Sequence, residues 1–293
     1  MSVARLAEAL GARLPPLLVA AERVASTVAQ GVHGRRRTGL GESFWQYRPF
    51  VAGDPLARVD WRASARSGRA YVRETEWEAA QTVFLWHDSS PSMRWRSHAA
   101  LPTKAERARL LLLALAALLL RGGEQVRLPG SSRRFAGRTA LEPLAMALET
   151  APNAAAGSDA GLPPRVALPR HAQIVLISDF LAPLPDIEAC LAWLASVPVT
   201  GQLVQVLDPA EAALPWSGRV RFRGLEGEGE TLLPRTEAVR GSYAAALAAR
   251  QEGIARIAAP AGFGFAVHHT DRPPETALLA LYEALASRPG DRQ

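Results

Sequence analysis

The sequence holds a single cysteine in 293 residues, which excludes any disulfide within the chain. A scaffold stapled by disulfides is ruled out, and a reducing compartment is favoured. Cys190 lies in "IEACLAWLA", an apolar helical pattern, where it reads as a small core residue rather than a nucleophile. Lysine is as scarce: of 34 lysines and arginines, only Lys104 is a lysine. Long apolar runs are missing too. The longest, "LLLLALAALLL" at 110–120, sits between Arg109 and Arg121. It falls short of the ~20 residues a membrane span needs, so it predicts a buried helix. The first residues, with Glu8 early, contain no clean signal-peptide core. Together these absences predict a cytoplasmic protein with no membrane span.

Several enzyme signatures are also missing. "GLGESF" (39–44) has no preceding strand and lacks the third glycine of a dinucleotide loop. There is no Gly-x-Ser-x-Gly elbow and no Gly-x-x-x-x-Gly-Lys loop, which disfavours serine hydrolases and P-loop ATPases. A haloacid dehalogenase-type phosphatase wants a second aspartate two residues after the first, and here that position is Ser90. The net charge is +6 and the pI near 10.3. Its one dense cluster, "GRRR" (34–37), has no interleaved aromatic platform, so an arginine-rich nucleic-acid binder is a minor alternative.

What is present is an ordinary globular composition, 48% hydrophobic and 21% charged. From residue 82 onward, apolar strand-like runs alternate with helical patterns: strand 83–87, helix 103–121, short strands near 125–128 and 133–135, and helix 139–150. Strand 173–178, helix 184–196, strand 202–207, helix 236–259, strand 263–268 and helix 274–287 follow. This alternation predicts an α/β protein, Rossmann-like and doubly wound around a mainly parallel sheet. Residues 151–170 read as a surface loop, and 209–234 as an inserted β-hairpin. The expected division is an N-terminal helix and β-rich, aromatic- and arginine-rich arm over 1–80, then the α/β domain over 81–293.

The chemistry gathers at strand ends. The apolar strand "VFLWH" (83–87) stops on oxygen, with Asp88, Ser90 and Ser92 at alternate positions. In "IVLISDF" (174–180) another strand stops on Asp179. Ligands of open parallel sheets bind beyond the carboxyl ends of the strands, and Thr139, opening the helix between these strands, is expected at the same edge. Two carboxylates and three hydroxyls suit a hard cation, magnesium first and manganese or calcium next. Such an ion would be shallow, barely neutralised and open to a carboxylate from outside. The bland readings are an Asx-turn at Asp88, a capping box of Thr139 with Glu142, and a helix cap at Asp179. "HHTD", with His268, His269 and Asp271, follows the last strand and offers imidazoles for a second metal, though such residues are more often turn formers.

The run from Asp88 through Ser90 to Ser92 resembles the Asp-x-Ser-x-Ser pattern of von Willebrand factor A domains. Their metal-ion-dependent adhesion site adds a threonine and a second aspartate; Thr139 and Asp179 stand in those places. Upstream, "GLGESFWQYRPFVAGDPLARVDWRASARSGRAYVRETEWE" (39–78) is similar to the signature of the domain of unknown function 58 family, through Gly39, Gly41, Glu42, Gly53, Asp54, Arg58, Asp60, Trp61, Ala65 and Arg66. Ser43 before Phe44, and an extra residue between Asp54 and Arg58, depart from that pattern. The resemblance implies a von Willebrand factor A-like domain acting as a metal-assisted protein-interaction or accessory module rather than an enzyme. It also implies a MoxR-type AAA+ ATPase as partner in assembling or activating another complex, and a partner that offers an acidic residue. Many relatives carry N-terminal membrane helices, so this chain is expected to be the short form without them. The alternative from another class is a metal-dependent hydrolase using Asp88, Asp179 and His269.

Overall fold

Apolar residues run unbroken along the central strands, and neighbouring side chains bury on opposite faces of one sheet. The computed structural model describes residues 16–29, 44–51, 59–61, 64–65, 69–75, 81–150 and 161–286. Its compact units are Met1–Arg35 with Thr82–Gln293, and Arg36–Gln81.

The larger unit contains the helix of residues 16–29 (α1), then β3 (Thr82–His87), α2 (Lys104–Arg121), β4 (Gln125–Arg127) and β5 (Arg134–Phe135). It continues through α3 (Leu141–Thr150), β6 (Gln173–Ser178), α4 (Leu184–Leu194), β7 (Thr200–Leu207) and α5 (Pro209–Ala213). The last elements are β8 (Val220–Arg223), β9 (Glu230–Leu233), α6 (Thr236–Ala258), β10 (Phe263–His269) and α7 (Pro274–Ala286). Six strands form one sheet in the order β10-β7-β6-β3-β4-β5. All its pairs are parallel except β4 with β5. The expected mostly parallel sheet flanked by helices is therefore present.

Period-two alternation makes two cores. Val83, Leu85, Val175, Ile177, Val204 and Val206 pack on one face with α1, α2, α3 and α7. Phe84, Ile174, Leu176 and Leu203 pack on the other with Ile187 and Leu191 of α4 and Ile254 of α6. The run 110–120 is apolar on all sides because α2 is enclosed by the sheet and by other helices. No described helix is long and apolar enough to cross a membrane.

One boundary differs from the expected division at residue 80. Ala21, Val24, Ala25 and Val28 recur at i, i+3, i+4 and i+7 and bury in the same cluster as α2. Arg121 at the end of α2 pairs with Glu22 and donates to Ser26 Oγ at 3.4 Å. An amphipathic helix shares whichever core covers its apolar stripe, and α1 shares that of the α/β unit.

In the smaller unit, β1 (Phe44–Pro49) and β2 (Tyr71–Thr75) pair antiparallel, with a register shift between Phe44 and Gln46. Asp54, Arg58, Arg62, Arg66 and Trp77 lie outside the described residues, as do 151–160 of the expected surface loop. Within the larger unit, β8 and β9 make a separate two-stranded antiparallel ribbon, Val220 opposite Leu233 and Arg223 opposite Glu230. Phe222 stacks edge-on against Trp216, and Trp216 against Trp95, which ties the ribbon to the segment after β3.

Candidate site at the strand tips

Strands β3 and β6 are neighbours, paired from Val83 with Gln173 to His87 with Ile177. This register delivers Asp88 and Asp179 to the same sheet edge, and both are 1% exposed. Asp88 is built into its turn: Oδ1 accepts from the Ser90 amide at 2.7 Å, and Oδ2 from Ser178 Oγ at 2.8 Å. Ser90 and Ser92 hydroxyls lie 3.1 Å apart, and Ser92 Oγ donates to Asp179 Oδ2 at 2.7 Å. Asp88, Ser90, Ser92 and Asp179 thus form one connected oxygen cluster. Asp88, Ser92 and Asp179 are buried under the loop before β6, and Ser90, half-buried, is the one donor that faces outward, so the cluster is deeper than the expected shallow site but opens at Ser90. Gly161, at φ +92°, passes so close that a Cβ there would stand 3.2 Å from Asp88 Oδ2.

A cation is already present among these oxygens. Lys104 Nζ donates to Asp179 Oδ2 at 2.9 Å and to Glu211 Oε1 at 2.5 Å, with 1% of the lysine side chain exposed. Burial pulls the Lys104 ammonium down, but Asp179 and then Glu211 outweigh it and hold it above the usual lysine range. Burial pushes the Asp88 carboxyl up; the Ser90 amide pulls it part of the way back, and the charge on Asp179 adds to the rise. Burial raises Glu211 as well, against the opposing pull of Lys104.

Local sequence explains the placement of these groups. "TKAE" (103–106) is a capping box, with Thr103 accepting from the Glu106 amide and Glu106 from the Thr103 amide, and it sets Lys104 in the first turn of α2. "DPAE" (208–211) is a second one after β7, where Glu211 Oε2 accepts from the Asp208 amide and leaves Oε1 for Lys104. Asp208 also accepts from the Ser97 amide at 2.9 Å, tying the two strand-tip segments together. Phe180 takes a left-handed φ of +52°, which is rare for an aromatic residue. Its carbonyl accepts from Arg250 Nε at 3.1 Å, and Gln205 Nε2 donates to the Asp179 carbonyl at 2.9 Å. Lys104, Glu211, Gln205 and Arg250 lie outside the expected set. The two capping-box signatures are the available signals for the first two; pattern offers none for the others.

Thr139 does not belong to this cluster. Arg109, near the start of α2, pairs with Glu149 at the far end of α3. Ten helical residues span about 15 Å, so the beginning of α3 lies toward the opposite edge. The antiparallel turn through β5 carries the chain back there before Thr139, which stands exposed in a short turn at Arg138–Ala140. Counting helices between strands overlooks the reversal at β5.

The "HHTD" segment makes a different structure. His268 is buried with Nε2 3.4 Å from Arg107 Nη1, and Arg107 donates to the carbonyls of Thr270 and Arg272 at 2.8 Å. Burial first, then Arg107 and His269, lower His268 to about 4, with Asp271 opposing. An imidazole against a guanidinium is a poor cation ligand. Among the described residues, no three His, Cys, Asp or Glu side chains gather as a metal-holding group.

The strand-tip donors are all hard oxygens, two carboxylates and two hydroxyls, and such a set fits magnesium in kind. Glu226, from the loop between β8 and β9, accepts from the Ser92 amide at 3.2 Å, so a carboxylate already reaches the rim of the cluster.

The chain is similar to Uncharacterized protein Rv1480 and Uncharacterized protein MT1527 of Mycobacterium tuberculosis, and to Uncharacterized protein Mb1516 of Mycobacterium bovis. Each is 28% identical over 279 residues, 90% of this chain and 86% of theirs. Among solved structures it resembles the conserved hypothetical protein BatB from Bacteroides thetaiotaomicron, at 17% identity and a TM-score of 0.42 over 71% of this chain and 98% of that one. An aerotolerance-related membrane protein from Bacteroides fragilis NCTC 9343 gives 17% identity and 0.40 over 71% and 99%. At these TM-scores the structural likeness carries no functional weight. Residues 46–253, more than half of the sequence, match one family throughout, so the chain belongs to the family described as Protein of unknown function DUF58.

Proposed function

We propose that this protein is a metal-assisted interaction module of von Willebrand factor A-like type, working in the cytoplasm with a MoxR-type AAA+ ATPase to assemble or activate a partner complex. The observation that carries the reading is the connected cluster of Asp88, Ser90, Ser92 and Asp179 at the tips of adjacent strands. Those four residues would hold a divalent ion, which supplies an open coordination position for a partner's Asp or Glu. The chain's own residues orient the donors: Ser178 and the Ser90 amide fix Asp88, while Ser92 and Lys104 fix Asp179. Thr139 is left out of the donor set. The ribbon β8–β9, anchored through Trp216 and Trp95, forms the wall on which such a partner would rest.

The hydrolase alternative has one feature in its favour, a lysine beside the second aspartate. That ammonium is buried and held between two carboxylates, which suits charge balance better than contact with a phosphoryl group. To test the main reading, the purified chain is mixed with the MoxR-type ATPase of the same organism, in magnesium and in excess chelator. Capture that needs magnesium and is abolished by Asp88→Ala is expected. Full-strength capture in chelator overturns the metal bridge, and no capture in either buffer overturns the partnership.

A further inference from the structure

A lysine in the first turn of a helix stands at the wrong end of the macrodipole, where free N–H groups carry partial positive charge. Lys104 takes that place in α2, as the only lysine of the chain, and is buried there. An ammonium withdrawn from water keeps its charge only when paired. Lys104 is paired twice, with Asp179 and with Glu211. Ser92 Oγ donates to the same Asp179 oxygen that Lys104 holds. Ammonium and serine hydroxyl therefore meet on one carboxylate oxygen, within the donor set a divalent ion would use. Glu211 is held for this contact by its capping box, and Tyr243 donates to the Glu211 carbonyl at 2.6 Å. A helix that needed only stability at this point would place an acid or an apolar residue there.

We propose that Lys104 is the resident cation of the strand-tip cluster: it positions Asp179 for Ser92 and competes with a divalent ion for that carboxylate. The free protein then takes the ion weakly, and an incoming carboxylate shifts the balance by adding the negative charge that Lys104 consumes. Metal and partner affinities become reciprocally linked through this one side chain. The inference rests on the reading of the cluster as a cation-assisted interaction site.

The test is calorimetric titration of the full chain with manganese and magnesium chloride, for the native sequence, Lys104→Met and Asp88→Asn. Removing a full positive charge from the donor set is expected to tighten manganese binding by on the order of a hundred-fold. Thermal melts supply the second measurement. Lys104→Met should melt early in chelator and recover with manganese, while the native protein should hardly respond. Should the variant fail to fold in chelator, recovery of a cooperative melt with manganese supports the proposal, and failure to recover overturns it. Equal manganese affinity in the native protein and Lys104→Met, lost in both on Asp88→Asn, overturns the role of Lys104 and leaves the cation-assisted reading standing. Manganese binding by neither protein overturns both.

Discussion

Lys104 and Arg107 leave the same helix three residues apart, and both are buried, yet they are satisfied in opposite ways. Lys104 is met by two carboxylates. Arg107 is met by two backbone carbonyls and a neutral imidazole, and it leaves its Nε without a partner, as Thr270 leaves its Oγ1. Carbonyls cannot leave or be exchanged without moving the chain, so the Arg107 cluster clamps the turn between β10 and α7. Carboxylates can trade one cation for another, so the Lys104 cluster can act as a site. A buried charge alone therefore says little about function; the chemical mobility of its partners says more.

The largest expected effect breaks the comparison at Lys104. In chelator, Lys104→Met leaves Asp179 and Glu211 facing each other without compensation, and losing one partner of a buried pair costs about 3–5 kcal/mol. Urea unfolding reads this directly, and a loss under about 1 kcal/mol would mean that the ion pair is solvated. Next is Arg107→Met, which strands the carbonyls of Thr270 and Arg272. Thr270 is buried while Arg272 is exposed, so at about 1–3 kcal/mol for a buried group left unpaired, a loss of about 1–3 kcal/mol is expected. Unlike the first, this loss should be untouched by manganese. Metal rescue of Arg107→Met would erase the distinction between clamp and site.

A third test uses pH. His268 is lowered from 6.5 to about 4, chiefly by burial and then by Arg107 and His269, with Asp271 opposing. The folded value lies below the unfolded one, so the unfolded chain takes up the proton first as pH falls. The contribution to stability is complete above about 6.5 and drains away toward 4. His268→Gln should flatten the melting profile across that window, by on the order of 2 kcal/mol at its acid end. An unchanged slope would assign the acid sensitivity to another group.

The sheet is legible in the sequence because strands buried on both faces read as continuous apolar runs, such as "IVLIS" in β6. The meeting of Asp88 with Asp179 is legible as well, since each ends such a run. The place of Thr139 is not. It depends on the two-residue strand β5, whose reversal has no periodicity to read. Lys104 and Glu211 lie 107 residues apart, and only the parallel crossover brings them together. The separation of α1 from the arm is hidden for a similar reason, because helical spacing shows that a stripe must be buried but not what buries it.

The smallest effect on stability belongs to the residue on which the site depends most. Asp88 is 1% exposed, and burial, with a further push from Asp179, raises its carboxyl against the pull of the Ser90 amide. A folded value above the unfolded 3.8 reverses the sign found for His268: the unfolded carboxyl ionises first as pH rises, so the native state loses stability through that window. Asp88→Asn removes the penalty. Its amide oxygen can still accept from the Ser90 amide, and the Ser178 hydroxyl can turn to accept from the new NH2. In chelator at neutral pH the variant is expected to be as stable as the native protein, or more so by up to about 1 kcal/mol. The same variant should lose manganese binding altogether, because one of only two carboxylate donors is gone. A side chain whose removal stabilises the fold while abolishing the ligand is kept for function at the expense of stability. If Asp88→Asn instead unfolds the protein by several kcal/mol, Asp88 is a turn-forming residue like those around Arg107, and the contrast between the two clusters disappears.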